Sequence, residues 1–194
     1  RLILKMRKHF TVLCVFLLLF LLCSDLLAAN SRKKYFSKPQ IGIWYGPITP
    51  LFDTDEYLDS SLGGGGFFRY NLPYDPLKIG LESSYQLYES ESVAEMRLIP
   101  VYANLLWLLP INLPIRFQLK VGAGLCKVRF EPDNINQWDP MLSAGTEISF
   151  PAGKLANIAL RLDYLCLYEE YLNDATKNGH FFNAGISLYF NLNL

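Results

Sequence analysis

The chain has 194 residues, of which 18 are basic and 18 acidic, and 51% is hydrophobic. This balance, with no clustered positive surface, gives no footprint for nucleic acid, and the length suits one domain.

The front of the chain reads as an address. Met6-Arg7-Lys8-His9 is basic, Phe10 to Leu22 is apolar, and Ala28-Ala29-Asn30 is small. That order is the pattern of a secretory signal peptide cut near Ala29–Asn30. Residues 1–29 are therefore assigned to a signal peptide starting at Met6, 30–39 to a leader, and 40–194 to the folded domain. An uncleaved membrane helix is the alternative, but Asp25 interrupts it; acylation at Cys23 is disfavoured by the bulky Leu22 before it. Removing 1–29 takes away Arg1, Lys5, Arg7, Lys8 and Asp25 and leaves a slight excess of acid. Cys14 and Cys23 go too, and Cys126 and Cys166 fall on opposite faces of their strands, which argues against a disulfide.

Beyond the leader the side chains alternate with a period of two, the mark of strands with one apolar and one polar face. Strand one covers Gln40 to Ile48, with Ile41, Ile43 and Tyr45 on one face. Strand two, Ser61 to Leu72, contains Gly63-Gly64-Gly65-Gly66. No Lys-Ser/Thr follows those glycines, so they mark a bend or close packing and no phosphate loop. Strand three is Leu77 to Tyr88. Strand four, Ala94 to Trp107, blurs around Pro100, where a bulge or an edge-like irregularity is expected, and Leu105 to Leu109 would also suit a short helical turn. Strand five sets Ile115, Phe117, Leu119, Val121, Ala123 and Leu125 against Arg116, Gln118, Lys120 and their neighbours. Its alternation lapses at Lys127 and Arg129, and Glu131 to Trp138 reads as a polar loop. Strand six is Pro140 to Phe150, and strand seven begins at Ala156. Strand eight, Phe181 to Leu194, places Phe182, Ala184, Ile186, Leu188, Phe190, Leu192 and Leu194 on one face.

Connections after strands one, three, five and seven read as longer and acidic, and those after two, four and six as short and Pro-rich. Both features predict an all-β fold: an eight-stranded antiparallel up-and-down transmembrane β-barrel. Alternation alone does not say which face is outside, because a soluble lipocalin-like barrel has an apolar cavity and a polar exterior. The strand charges Arg69, Glu82, Arg116, Lys120, Glu147, Arg161 and Asp163 all lie on the polar faces, among Gly, Ser and Asn. So few charges are too sparse for a watery exterior, and small residues suit the narrow interior of eight strands. These seven are expected to line the lumen, with the apolar faces toward lipid.

The signal peptide, the eight alternating strands, Val121-Gly122-Ala123-Gly124, Ala144-Gly145 and the ending Asn183-Ala184-Gly185-Ile186-Ser187-Leu188-Tyr189-Phe190 resemble the small bacterial outer-membrane β-barrels of the OmpW/OmpA/OmpX type. The ending is similar to the signal read by the barrel-assembly machinery, with Asn183, Gly185, Leu188 and Phe190 matching it. The terminal Asn193-Leu194 departs from the usual Phe. The resemblance implies localisation in the outer membrane, with its lipid as the surroundings. It further implies either a narrow OmpW-like channel for small, rather hydrophobic molecules or a closed structural barrel.

Two other classes of function are open to this sequence. The acidic loop residues Asp53, Asp55, Glu56, Asp59, Glu89, Glu91, Glu131, Asp133, Glu169 and Glu170 suit a surface adhesin that binds host ligands. Their spacing matches no EF-hand. An enzyme is not expected: His180-Phe181-Phe182-Asn183 is similar to the His-x-Ser-Asn motif of lipid A deacylases, but Phe182 stands where the serine would be and offers no hydroxyl nucleophile. Neither a metal nor any other cofactor is implied.

Overall fold

The structure is a computed structural model that describes residues 39–192, except 57, 75, 90–94, 112, 114, 132–134, 154 and 169–177. The signal-peptide segment, the leader up to residue 38, Asn193-Leu194 and the loop acids Glu91, Asp133, Glu169 and Glu170 lie outside the described residues. Eight strands follow in order: β1 (Gln40–Pro50), β2 (Ser61–Asn71), β3 (Leu77–Glu89), β4 (Glu95–Leu108), β5 (Arg116–Glu131), β6 (Ile135–Pro151), β7 (Ala156–Leu167) and β8 (Gly179–Asn191). Each pairs antiparallel with its sequence neighbours, and β1 closes the ring on β8, from Gln40 opposite Asn191 to Pro50 opposite Phe181. The predicted eight-stranded up-and-down barrel is what forms, with both ends of the folded chain on one rim.

Alternation decides the inside and the outside. Along β1 every second residue from Gln40 is buried and the intervening ones are exposed, and β3 repeats this. Ile43 (64% exposed), Leu81 (63%), Val121 (58%) and Ile186 (58%) belong to a band of large apolar side chains around the outer wall. A soluble domain would expose them to water at about 25 cal/mol for each Å². Hydrocarbon removes that cost. The lipocalin-like arrangement, apolar within and polar without, is reversed over this band.

Three expectations need correction. Pro100 makes no bulge: Ser83 opposite Val101 and Gln86 opposite Leu98 keep one register on either side of it. Pairing with β3 lapses only at Ser84 and Tyr85, where proline has no N–H to give. The apolar run after it continues as strand through Leu108, with no helical turn. Finally, Glu131 to Trp138 is not a loop. β5 runs to Glu131 and β6 starts at Ile135, so only residues 132–134 separate them, and long and short connections do not alternate regularly.

The lapse at Lys127 and Arg129 is an inversion of polarity. Toward this far rim, away from the termini, Met96, Leu98 and Val128 turn inward and are buried, while Arg97, Lys127, Arg129 and Asn136 lie on the outer wall. The outer ends of β4 and β5 are therefore built like a water-soluble barrel, with the greasy face in, whereas on β6 Asp139 points inward and Trp138 outward. The lower part of the same strands has the opposite arrangement. The inner cluster at the far end also takes Ile48, Tyr88, Phe181 and, from the first connection, Leu58. That connection holds a 3₁₀ turn, Phe52–Thr54. It is tied down by Leu51 N–H donating to the His180 carbonyl (2.8 Å) and Asp59 N–H donating to the Glu89 carbonyl (2.9 Å).

Candidate functional site in the barrel interior

Below that apolar cluster the interior is ionic. Arg69 on β2 reaches Glu147 on β6 with two parallel hydrogen bonds, 2.9 Å from Nη1 and 2.7 Å from Nη2, and both side chains are fully buried. Arg161 on β7 reaches Glu82 on β3 and also Asp163 on its own strand, its Nε lying 2.6 Å from Asp163 Oδ2. The second Asp163 oxygen takes Lys120 Nζ from β5 at 2.7 Å. In a ring of eight, β2 and β6 are four strands apart, as are β3 and β7. Both bridges thus cross the lumen from opposite walls.

Three cations and three carboxylates pair off in this way, which makes burial tolerable. A charge taken out of water costs several kcal/mol unless a partner and further hydrogen bonds replace the solvent. Aromatic faces add to the compensation. The Arg69 guanidinium lies 4.0 Å from the Phe67 ring centroid, and that of Arg161 lies 4.5 Å from Trp44. Guanidinium over a ring face is favourable, by about 2 kcal/mol when desolvated. Asn104 donates to Glu82 at 3.4 Å.

Glycine makes room for this network. At Gly145 a Cβ would collide with the Asp163 carboxylate and lie 2.6 Å from the Leu162 carbonyl oxygen. Gly145→Ala should therefore lower stability by about 1–3 kcal/mol through overpacking, measured as a shift of the urea unfolding midpoint. An unchanged midpoint would mean that Asp163 can move away without loss.

Six of the seven predicted lumen charges are buried together: Arg69, Glu82, Lys120, Glu147, Arg161 and Asp163. Arg116 is separate. It sits half-buried near the rim that carries the termini and donates to Asn157 Oδ1 at 3.1 Å. The sequence reading missed Lys78, which is 3% exposed near the same rim and donates to Asn71 Oδ1 at 2.6 Å. Its signal was present, since Lys78, Gly80 and Glu82 share a face.

Of the four residues likened to an assembly signal, Asn183 is buried, while Leu188 and Phe190 are exposed on the outer wall and Gly185 is closely packed against β1. Cys126 is buried inside and Cys166 is on the opposite face, and no disulfide joins them. His180 has a structural occupation. Its Nδ1 lies 2.6 Å from the Tyr164 hydroxyl, its backbone N–H donates to Thr54 Oγ1, and its ring meets Phe52 edge-on. Phe52, at φ 56°, holds a left-handed conformation unusual for a bulky residue. Of the loop acids, Asp53, Asp55, Glu56, Asp59 and Glu89 are exposed.

Comparison with solved structures finds several that align with this chain. Neisserial surface protein A aligns over 79% of this chain and 97% of its own, at 8% identity and a TM-score of 0.60. The N-terminal barrel of Pseudomonas aeruginosa OprF covers 79% and 97%, at 14% identity and TM-score 0.48. The Yersinia pestis attachment invasion locus protein Ail covers 79% and 99%, at 18% identity and TM-score 0.47. No family model and no curated protein sequence matches the chain. At these identities the likeness is one of fold: a small eight-stranded barrel of the outer-membrane type.

Proposed function

We propose that this protein is a bacterial outer-membrane barrel whose body is a closed scaffold, without catalytic activity, that holds its far rim and loops outside the cell. The observation that carries this reading is the pair of bridges across the lumen. Arg69–Glu147 and Arg161–Glu82 join opposite walls, and all four side chains are at most 1% exposed. Packed ionic groups of this kind leave a solute no path that does not break a buried pair, a step costing about 3–5 kcal/mol. The outer band of apolar side chains supports lipid as the surroundings. Export by a signal peptide, and delivery by the assembly machinery through Asn183, Gly185, Leu188 and Phe190, belong to the same reading.

The expected result in planar bilayers is an absence of reproducible single-channel events from the folded protein. Steady conductance from the wild type would favour the narrow channel for small hydrophobic molecules instead. The adhesin reading draws support from one feature, the far rim: its first connection is tied down, and its exposed Asp53, Asp55, Glu56 and Asp59 form a fixed acidic surface.

A further inference from the structure

The outer wall carries its cations in one place. Among the described residues, Arg69, Lys78, Arg116, Lys120 and Arg161 belong to the interior. The remaining basic side chains, Arg97 on β4 with Lys127 and Arg129 on β5, lie together outside. Strand register makes them neighbours. Arg97 stands directly opposite Arg129, and Lys127, next on the same face of β5, stands opposite the exposed Trp138 of β6. The acids are sorted in the same way, with Glu95 opposite Glu131 one step nearer the rim. Each arginine pairs with the glutamate of its own strand, Arg97 with Glu95 at 3.0 Å and Arg129 with Glu131 at 2.9 Å. Toward the termini the outward residues are all apolar, from 99 to 107 on β4 and from 117 to 125 on β5. Each run matches the roughly 9–11 tilted residues that cross the hydrocarbon of a membrane. The bases therefore stand at its edge, at the depth of lipid headgroups, and the acids lie farther out.

Like charges directly opposite one another on a sheet are unfavourable, and an Arg facing a Glu is the better arrangement in water. Here like faces like twice, in two rows ordered by depth. A wall that meets only water gains nothing from that order, whereas a wall that meets an anionic layer at the depth of the bases does. The two ion pairs are weak competitors, since their side chains are 34% to 46% exposed and such pairs contribute little. A guanidinium has five N–H donors and takes phosphate bidentately, so each arginine can hold its glutamate and a phosphate oxygen together. Beneath the bases, Ala103 and Ala123 face one another between Leu81 and Leu142, a shallow trough along which an acyl chain can lie. We propose that this patch of β4 and β5 binds the phosphate headgroup of an anionic lipid in the leaflet at the far rim. Arg97 and Arg129 grip the phosphate, Lys127 adds charge, and Trp138 lies beside the headgroup. The site rests on the outer-membrane reading and gives the barrel a fixed lipid neighbour on one side.

The test uses the whole protein folded into phosphatidylcholine vesicles, with Trp138 as the reporter. A small fraction of the lipid is replaced by phosphatidic acid brominated near the head end of one acyl chain, or by the same fraction of phosphatidylcholine brominated alike. Bromine quenches tryptophan at short range, so the ratio of the two quenching strengths gives the enrichment of the anionic lipid at the wall. That ratio should be about fivefold or more, the scale set by basic residues at an anionic membrane surface. The triple variant Arg97→Gln, Lys127→Gln and Arg129→Gln, checked for folding by heat-modifiable gel migration, should bring it to one or below. Glu95→Gln with Glu131→Gln should raise it. Trp138→Phe should remove the excess quenching, because Trp44 is inside the barrel and Trp107 lies toward the other rim. Insertion into vesicles with a wild-type ratio of one would overturn this proposal alone. An excess that survives in the triple variant would overturn it as well, since the lipid would then be held elsewhere. Failure to enter vesicles at all would overturn the membrane reading together with it.

Discussion

Replacing Arg161 with alanine should lower the unfolding free energy of the barrel by about 3–5 kcal/mol, the cost of leaving buried charge without its partner. The effect should fall at the upper end of that range. Arg161 serves Glu82 and Asp163 together, and Lys120 reaches only the second of these. The measurement is the urea midpoint of the protein folded into lipid vesicles, followed by tryptophan fluorescence. Trp44, which lies against the Arg161 guanidinium, reports on the site directly. The double variant Arg69→Met with Glu147→Leu should behave differently. Removing both members of a bridge leaves no orphan charge, and an apolar pair of similar volume is often neutral or stabilising. If Arg161→Ala were as stable as the wild type, the interior would have to be hydrated and the bridges of little consequence.

The second large effect concerns the outer wall. Leu160 lies midway along β7, 52% exposed and flanked by Ile148 on β6 and Ile186 on β8. Leu160→Arg should cost about 2–4 kcal/mol in vesicles, the depth-dependent cost of a basic side chain facing hydrocarbon. Asp59→Arg, on the exposed first connection, should cost nothing measurable. The contrast between the two reads out the direction of the wall. A barrel surrounded by water would tolerate Leu160→Arg and would stay in solution without detergent.

Much of this was visible in the residues, because alternation is a local property. Ile41, Ile43 and Tyr45 in β1, or Phe117, Leu119 and Val121 in β5, announce their common face without reference to any partner. Six lumen charges were found by the same rule. What alternation does not carry is the identity of the partner across the ring. Arg69 meets Glu147 rather than Glu82 because of the stagger between strands, and no pattern within β2 encodes that. The ends of β5 and β6 were misjudged for a related reason. Lys127 and Arg129 break the alternation where β5 leaves the bilayer, and the polar residues that follow, Asn136 among them, read as a loop. They are strand residues that have passed from one solvent into another. Lys78 was overlooked because a tight turn precedes it and the sequence there is dominated by Leu77 and Ile79.

The placement of the bridges also bears on how the ring comes together. Arg69 and Glu147 are 78 residues apart in the chain, and Glu82 and Arg161 are 79. A growing sheet that has laid down only its first four strands holds Arg69 and Glu82 with neither partner present. Those two opposite charges, on neighbouring strands, have only each other until β6 and β7 bring Glu147 and Arg161. Half-built sheets are therefore poor resting states in lipid, and closure is favoured as one concerted event with a late, non-local commitment. Assembly should then show few stable intermediates, and its rate should depend more on bringing distant strands together than on forming any single hairpin.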